Sequence, residues 1–137
     1  MEDSWKIIKE LETNNSRIFK ENVIEKVALQ DNDIFFSGCK LALDKLISFG
    51  VKQIPLSKKD GAGLKWDKFC ELSQQLISRK KTGNNARDLI FSLMNESTIN
   101  QWNFWYRRIL LKDLKCGASE KTINNVVKRL SKDKYII

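Results

Sequence analysis

Apolar residues recur at helical spacing along almost the whole chain, and nowhere do they alternate with polar ones for long enough to make a strand. The pattern predicts an all-α fold, a compact bundle of about seven helices. A first helix runs from about Asp3 to Glu12 with Trp5, Ile8 and Leu11 inward, and a second from about Ser16 carries Phe19, Val23 and Val27. Asp31 or Asp33 caps a third, whose stripe of Phe35, Cys39, Ala42, Leu43 and Leu46 leads to Gly50, read as its left-handed terminator. Residues 51–64 hold Pro55, Gly61 and Gly63 and make a connecting loop, not a domain boundary. A fourth helix spans about Trp66 to Arg79 with Phe69, Leu72 and Leu76, and a fifth about Asn84 to Asn95 with Ala86, Leu89, Ile90 and Leu93. Ser97 or Thr98 caps a sixth, which carries Ile99, Trp102, Trp105 and Ile109 to about Leu114. Gly117 breaks it before a last helix from Ser119 with Ile123, Val126, Val127 and Leu130. Residues 1–137 read as a single helical domain without internal repeats.

Composition narrows the chemistry. The chain is 42% apolar and 31% charged, the balance of a folded domain with a real core. Its longest apolar runs, such as Ile109-Leu110-Leu111, fall far short of the roughly 20 residues of a membrane span. Met1-Glu2-Asp3 lacks the basic-then-apolar order of a signal peptide, so a cytoplasmic location and no membrane partner are expected. Cys39, Cys70 and Cys116 are widely spaced and the chain has no His, which leaves no zinc set and no conventional hydrolytic triad. The three cysteines read as reduced, mostly buried thiols. Asp31 and Asp33 read as capping residues and not as metal ligands.

Charge then divides the chain in two. Residues 1–78 carry 12 Lys/Arg against 12 Asp/Glu, and residues 79–137 carry 13 against 5, so the whole net charge of +8 lies in the second part. There, Arg79-Lys80-Lys81-Thr82-Gly83-Asn84 and Lys112-Asp113-Leu114-Lys115-Cys116-Gly117-Ala118-Ser119 each run from cations into a glycine and then a helix start. Such a corner offers a phosphate both cations and unpaired backbone N–H groups, which makes nucleic acid the leading partner.

Two other features have plainer explanations. Lys58-Lys59-Asp60-Gly61 matches the short Lys-x-Asp-Gly motif of covalent nucleotidyltransferases, but nothing after it suggests the β-rich domain that chemistry needs, and it reads as a turn. Trp102, Trp105 and Ile109 share one helical stripe and belong to the core, with Phe104 and Tyr106 less determined; Arg107 and Arg108 splay apart on the same helix.

As one string, Leu72 to Leu130 resembles the DNA-binding domain that precedes the catalytic core of ATP-dependent DNA ligases, with the T-even bacteriophage form the nearest. The turn Lys81-Thr82-Gly83-Asn84-Asn85-Ala86 matches that family's Thr-Gly turn. Arg108 to Ile123 matches its Arg-x-Leu-x-x-x-Leu-Arg-x-Gly-x-x-Glu-x-Ser/Thr-Val/Ile signature, with Lys115 at the second arginine. The first 70 residues match loosely, and Asp113 stands where cellular ligases are often basic. The resemblance implies a non-catalytic domain that grips the minor groove around a nick during DNA replication, repair and recombination. Its contacts would come from Lys80, Lys81, Thr82, Gly83 and Asn84 at one corner, and from Arg108, Lys112, Lys115, Gly117, Ala118, Ser119 and Lys121 at the other. It also implies a parent polypeptide whose nucleotidyltransferase and OB domains lie downstream and use ATP and Mg²⁺, with no cofactor in this chain. The partners would be nicked duplex DNA and those catalytic domains; the expected state is a monomer, in the bacterial host cytoplasm if the source is a phage. The alternative is a helical protein-interaction or RNA-binding module with a basic face.

Overall fold

In a computed structural model, residues 2–137 are described, and they fold as helices without a strand among them. Helix α1 spans Ser4–Glu12, α2 Arg17–Leu29, α3 Asp33–Leu43, α4 Trp66–Ile77 and α5 Gly83–Glu96. Three short pieces follow in series: α6 (Ile99–Gln101), a π-helical turn (Trp102–Tyr106) and α7 (Arg107–Leu110), which together make one rod. Helix α8 spans Glu120–Arg129, and a 3₁₀ turn at Asp133–Tyr135 closes the described chain. Counting the rod once, there are seven helices, as the periodicity predicts.

The rod is the axis of the core. A π-helical turn fits an extra residue per turn, and here it turns Trp102, Trp105 and Tyr106 inward together with Ile109 and Leu110 of α7. Trp105 stacks on Phe35 of α3 at 5.8 Å between ring centroids, and Tyr106 stacks on Phe69 of α4 at 4.4 Å. Helix α1 packs on the π turn, α3 on α7 and α2 on α8. Gly38 lets α3 approach the rod: a Cβ there would lie 2.1 Å from the Trp105 ring.

The third helix ends seven residues before Gly50. Asp44 takes an extended backbone, its carboxylate accepts from the Leu46 N–H at 2.9 Å, and Leu46 is 94% exposed instead of on the core stripe. The ammonium of Lys112, from the far end of the rod, donates to the carbonyls of Leu41 (2.8 Å) and Asp44 (2.6 Å), stabilising the early stop. The cap at the other end is Asn32, whose side chain accepts from the Phe35 N–H, and neither aspartate. Asp33 is the first helical residue and accepts from the Tyr135 hydroxyl, while Asp31 pairs with Lys132 and Lys134 and has its pKa held low by them. Thr98, not Ser97, caps α6, in a reciprocal box with Gln101.

The long connection from Asp44 to Lys65 lacks regular structure but is tied down along its length by the rod. Arg107 Nε donates to the Ile54 carbonyl (2.7 Å), Trp102 Nε1 to Pro55 (2.8 Å) and the Tyr106 hydroxyl to Leu64 (2.6 Å). Asn103 and Gln101 each exchange two bonds with the backbone, at Ser57 and Leu64. Polar residues on the rod thus satisfy backbone groups that a strand or helix would otherwise pair.

Candidate nucleic-acid interface

The first basic corner joins α4 to α5. Arg79 takes the left-handed conformation (φ 62°) after the end of α4, and the Lys81 N–H returns to the Gln75 carbonyl at 2.9 Å, closing the helix end. Its guanidinium is turned inward, onto the carbonyls of Leu76 and Ser48. Lys80 and Lys81 form no ion pair or hydrogen bond through their side chains within the described residues. Thr82 precedes α5 in extended conformation without capping it by its side chain. The N–H groups of Gly83, Asn84 and Asn85 consequently have no acceptor, and all three residues are exposed. Gly83 has φ 54°, and a Cβ there would meet nothing within 4 Å. The corner is open to an anion from outside.

The second corner has a built interior. From Asp113 to Ser119 burial alternates: Leu114, Cys116 and Ala118 point in, and Asp113, Lys115, Gly117 and Ser119 lie outside. Two cations predicted to meet DNA are used inside. Arg108 pairs with Glu12 and donates to the Leu114 carbonyl at 2.9 Å, and Lys112 holds the end of α3 as described above. Burial lowers the Lys112 pKa, partly offset by Asp44. Both therefore have structural partners, Lys112 the carbonyls at the end of α3 and Arg108 the Glu12 carboxylate and a loop carbonyl. Ala118 is buried as well, which removes its side chain from any outer surface.

A third cation that the sequence reading missed completes this interior. Lys20 of α2 is 6% exposed, and its amine donates to the carbonyls of Leu11 (2.6 Å) and Cys116 (2.9 Å). Its Cε lies 2.8 Å from where a Gly117 Cβ would stand. Gly117, with φ 77°, therefore owes its lack of a side chain to a neighbour inside the protein as well as to its conformation. The signal was present: Lys20, Val23, Ile24 and Val27 fall on one helical stripe, so a lysine occupies a core position.

What stays outside is smaller than the bare charge suggests. Of the 13 cations after residue 78, Arg79, Arg107, Arg108, Lys112, Arg129, Lys132 and Lys134 bond to carbonyls or carboxylates of the chain. Lys80, Lys81, Arg87, Lys115, Lys121 and Lys128 have no such partner among the described residues. Ser119 caps α8, accepting from the Thr122 N–H at 3.2 Å and leaving the N–H groups of Glu120 and Lys121 free. A shallow groove of about 400 Å³ follows on α8, lined by Ser119, Glu120, Lys121, Asn124, Asn125 and Lys128, one carboxylate beside two lysines. Asn125 and Lys128 lie on the same face as Lys121, four and seven residues after it, but outside the predicted set. The two corners sit on different helix pairs, and no hydrogen bond joins them.

Elsewhere the exposed carboxylates form no metal-ligand cluster among the described residues, and no helix is long and apolar enough to cross a membrane. The cysteines are free thiols. Burial raises the pKa of Cys39 and Cys116, and burial plus nearby Asp67 pushes Cys70, the least buried of the three, up to about 11. At pH 8 iodoacetamide should therefore modify Cys70 about 100-fold more slowly in the folded protein than in urea. Equal rates by mass spectrometry would mean that this part of α4 opens readily.

The chain is similar along its whole length to two solved structures, named "Pmar-Lig_PreS3" and "Pmar-Lig_Pre.". Each is 40% identical, with TM-scores of 0.95 and 0.96. It spans 32% and 31% of those chains, about a third of their length. No protein-family model matches it and no curated protein matches it, so the bacteriophage likeness expected from the sequence finds no support.

Proposed function

We propose that this chain is a non-catalytic domain of an ATP-dependent DNA ligase, holding duplex DNA around a nick by its phosphates and sugars. The observation that carries the reading is the pair of corners, each with unpaired lysines beside exposed helix-start N–H groups. The full-length likeness to two structures bearing "Lig" in their names agrees with the ligase assignment. The outward contact set is Lys80, Lys81, Thr82, Gly83 and Asn84 at the first corner. At the second it is Lys115, the backbone at Gly117, Ser119 and Lys121, while Arg108, Lys112 and Ala118 support them from within. Nucleotide chemistry with ATP and Mg²⁺ belongs to catalytic domains of the same parent polypeptide, and the role is in DNA replication, repair and recombination. Lys58 is no candidate for it: the lysine is exposed, and the Asp60-Gly61 that follows is consumed in packing.

Fluorescence anisotropy with nicked, intact and single-stranded oligonucleotides tests this. Duplex binding should depend little on base sequence, since phosphate contacts carry none. Four outward lysines give a slope of about −4 in log K against log salt. Lys115→Ala and Lys121→Ala should each weaken every duplex similarly and reduce the slope by about one unit. A salt-independent affinity, or greater losses from Lys58→Ala and Lys59→Ala at equal thermal stability, would put the binding face elsewhere.

A further inference from the structure

A groove of about 520 Å³ lies between the Asp44–Lys65 connection and α5, and it takes no part in the two corners. Its apolar lining includes Pro55, Ile90 and Phe91, and Phe91 is 41% exposed although it is a large aromatic on a helix. Lys52, Arg87 and Arg107 line it too, and no Asp or Glu does. Arg107 is fixed there by the bond from its Nε to the Ile54 carbonyl, which leaves both terminal amino groups without an acceptor among the described residues. Burial, with neighbouring Arg108 adding to it, lowers its pKa. A planar fork held by one nitrogen and free at the other two is suited to a carboxylate.

We infer that this groove docks a short acidic peptide segment of a separate protein, with a carboxylate on Arg107 and Arg87 and an apolar side chain against Phe91. The apolar lining favours a peptide over a nucleic-acid backbone, which would meet the cations but give the exposed Phe91 and Pro55 nothing to bury. Within residues 1–137 the only adjacent pair of acidic residues is Glu2-Asp3, just before α1, so the occupant is not a segment of these residues. None of the six lining residues named above belongs to the outward DNA set, so the two proposals stand or fall separately.

The test uses the whole chain and a labelled, end-blocked peptide, Asp-Glu-Leu-Trp-Asp-Glu, followed by anisotropy. Saturable binding is expected, weakened about tenfold or more by Arg87→Glu and by Phe91→Ser, both exposed changes, at unchanged melting temperature. Arg107→Lys, which keeps the charge but loses the fork, should also weaken it. A control peptide with Asn and Gln for the acids, and another with Ala for Leu and Trp, should each bind poorly. The inference is overturned by absence of binding, or by equal binding of the Ala control. It also fails if Arg87→Glu and Phe91→Ser weaken a 20-base-pair duplex as strongly as the peptide, since the groove is then a nucleic-acid surface. Concentration-dependent self-association abolished by Phe91→Ser would overturn it too, in favour of a second copy. Lys115→Ala and Lys121→Ala should leave peptide binding intact, whether or not they affect DNA.

Discussion

Gly117→Asn should destabilise the protein by about 2–3 kcal/mol, and Gly117→Ala by about 3–4 kcal/mol, as midpoint shifts in urea at unchanged slope. The two substitutions separate two causes. Asn tolerates the left-handed backbone that Gly117 adopts at φ 77°, whereas Ala costs about 1 kcal/mol more there. Both add a Cβ that would lie 2.8 Å from Lys20 Cε and 3.0 Å from its Nζ. The lysine tip is flexible in itself, but this one is buried and bonded to two carbonyls, Leu11 and Cys116. Displacing it leaves those acceptors unpaired, at about 1–3 kcal/mol for a buried group. Lys20→Met removes the collision together with the bonds, so the Lys20→Met/Gly117→Asn double variant should cost less than the sum of the singles. Should Gly117→Asn prove neutral, Lys20 moves aside freely and the glycine serves the backbone conformation alone. If it destabilises as expected and the proposed DNA contacts hold, the loosened 113–119 loop should also weaken duplex affinity even with Lys115 in place.

The helices were legible because their apolar stripes are long, and the caps at Ser16 and Ser119 were legible because a hydroxyl stands immediately before each stripe. The end of α3 was not. Leu46 continues the helical spacing, and only Asp44's turn and an ammonium arriving from residue 112 stop the helix before it. The same long-range contact decided the candidate site. Lysine 112 and lysine 115 look alike in sequence, yet one reaches two carbonyls some 70 residues away and the other is exposed. Composition counts a cation; the fold decides whether a carbonyl or a ligand receives it. At the first corner the turn itself was legible from Gly83, and Lys80 and Thr82 to Asn84 are exposed with Lys81 half-buried, whereas the inward turn of Arg79 onto Leu76 and Ser48 was not. The π-helical turn left no mark in the periodicity, because Trp102, Trp105, Tyr106 and Ile109 already share one face of an ideal α-helix at i, i+3, i+4 and i+7, and all four are buried.

Gly61→Ala should cost about 3 kcal/mol or more, while Lys58→Ala, three residues earlier in the same Lys-x-Asp-Gly string, should change stability by less than about 0.5 kcal/mol. A Cβ on residue 61 would stand 2.2 Å from the Asn95 carbonyl oxygen and 2.5 Å from that of Glu96. These are backbone atoms at the end of α5, held by the helix, so neither can yield without unwinding it. The turn also satisfies the junction between α5 and α6. The Gly61 N–H donates to the Ser97 carbonyl and the Gly63 N–H to that of Glu96, both at 2.8 Å. The Asp60 carboxylate accepts from the Ile99 N–H, the first of α6, at 2.7 Å. Lifting the turn away would leave carbonyls of one helix end and an N–H of the next unpaired together. Asp60→Ala removes only the last of these and should cost about 1 kcal/mol. Urea midpoints for the three variants should therefore rank Gly61→Ala far below Asp60→Ala, and Asp60→Ala below Lys58→Ala. A loss under 1 kcal/mol for Gly61→Ala would mean that the connection peels from the rod at little cost. A loss for Lys58→Ala as large as that for Gly61→Ala would give this lysine a role that its exposed position does not explain.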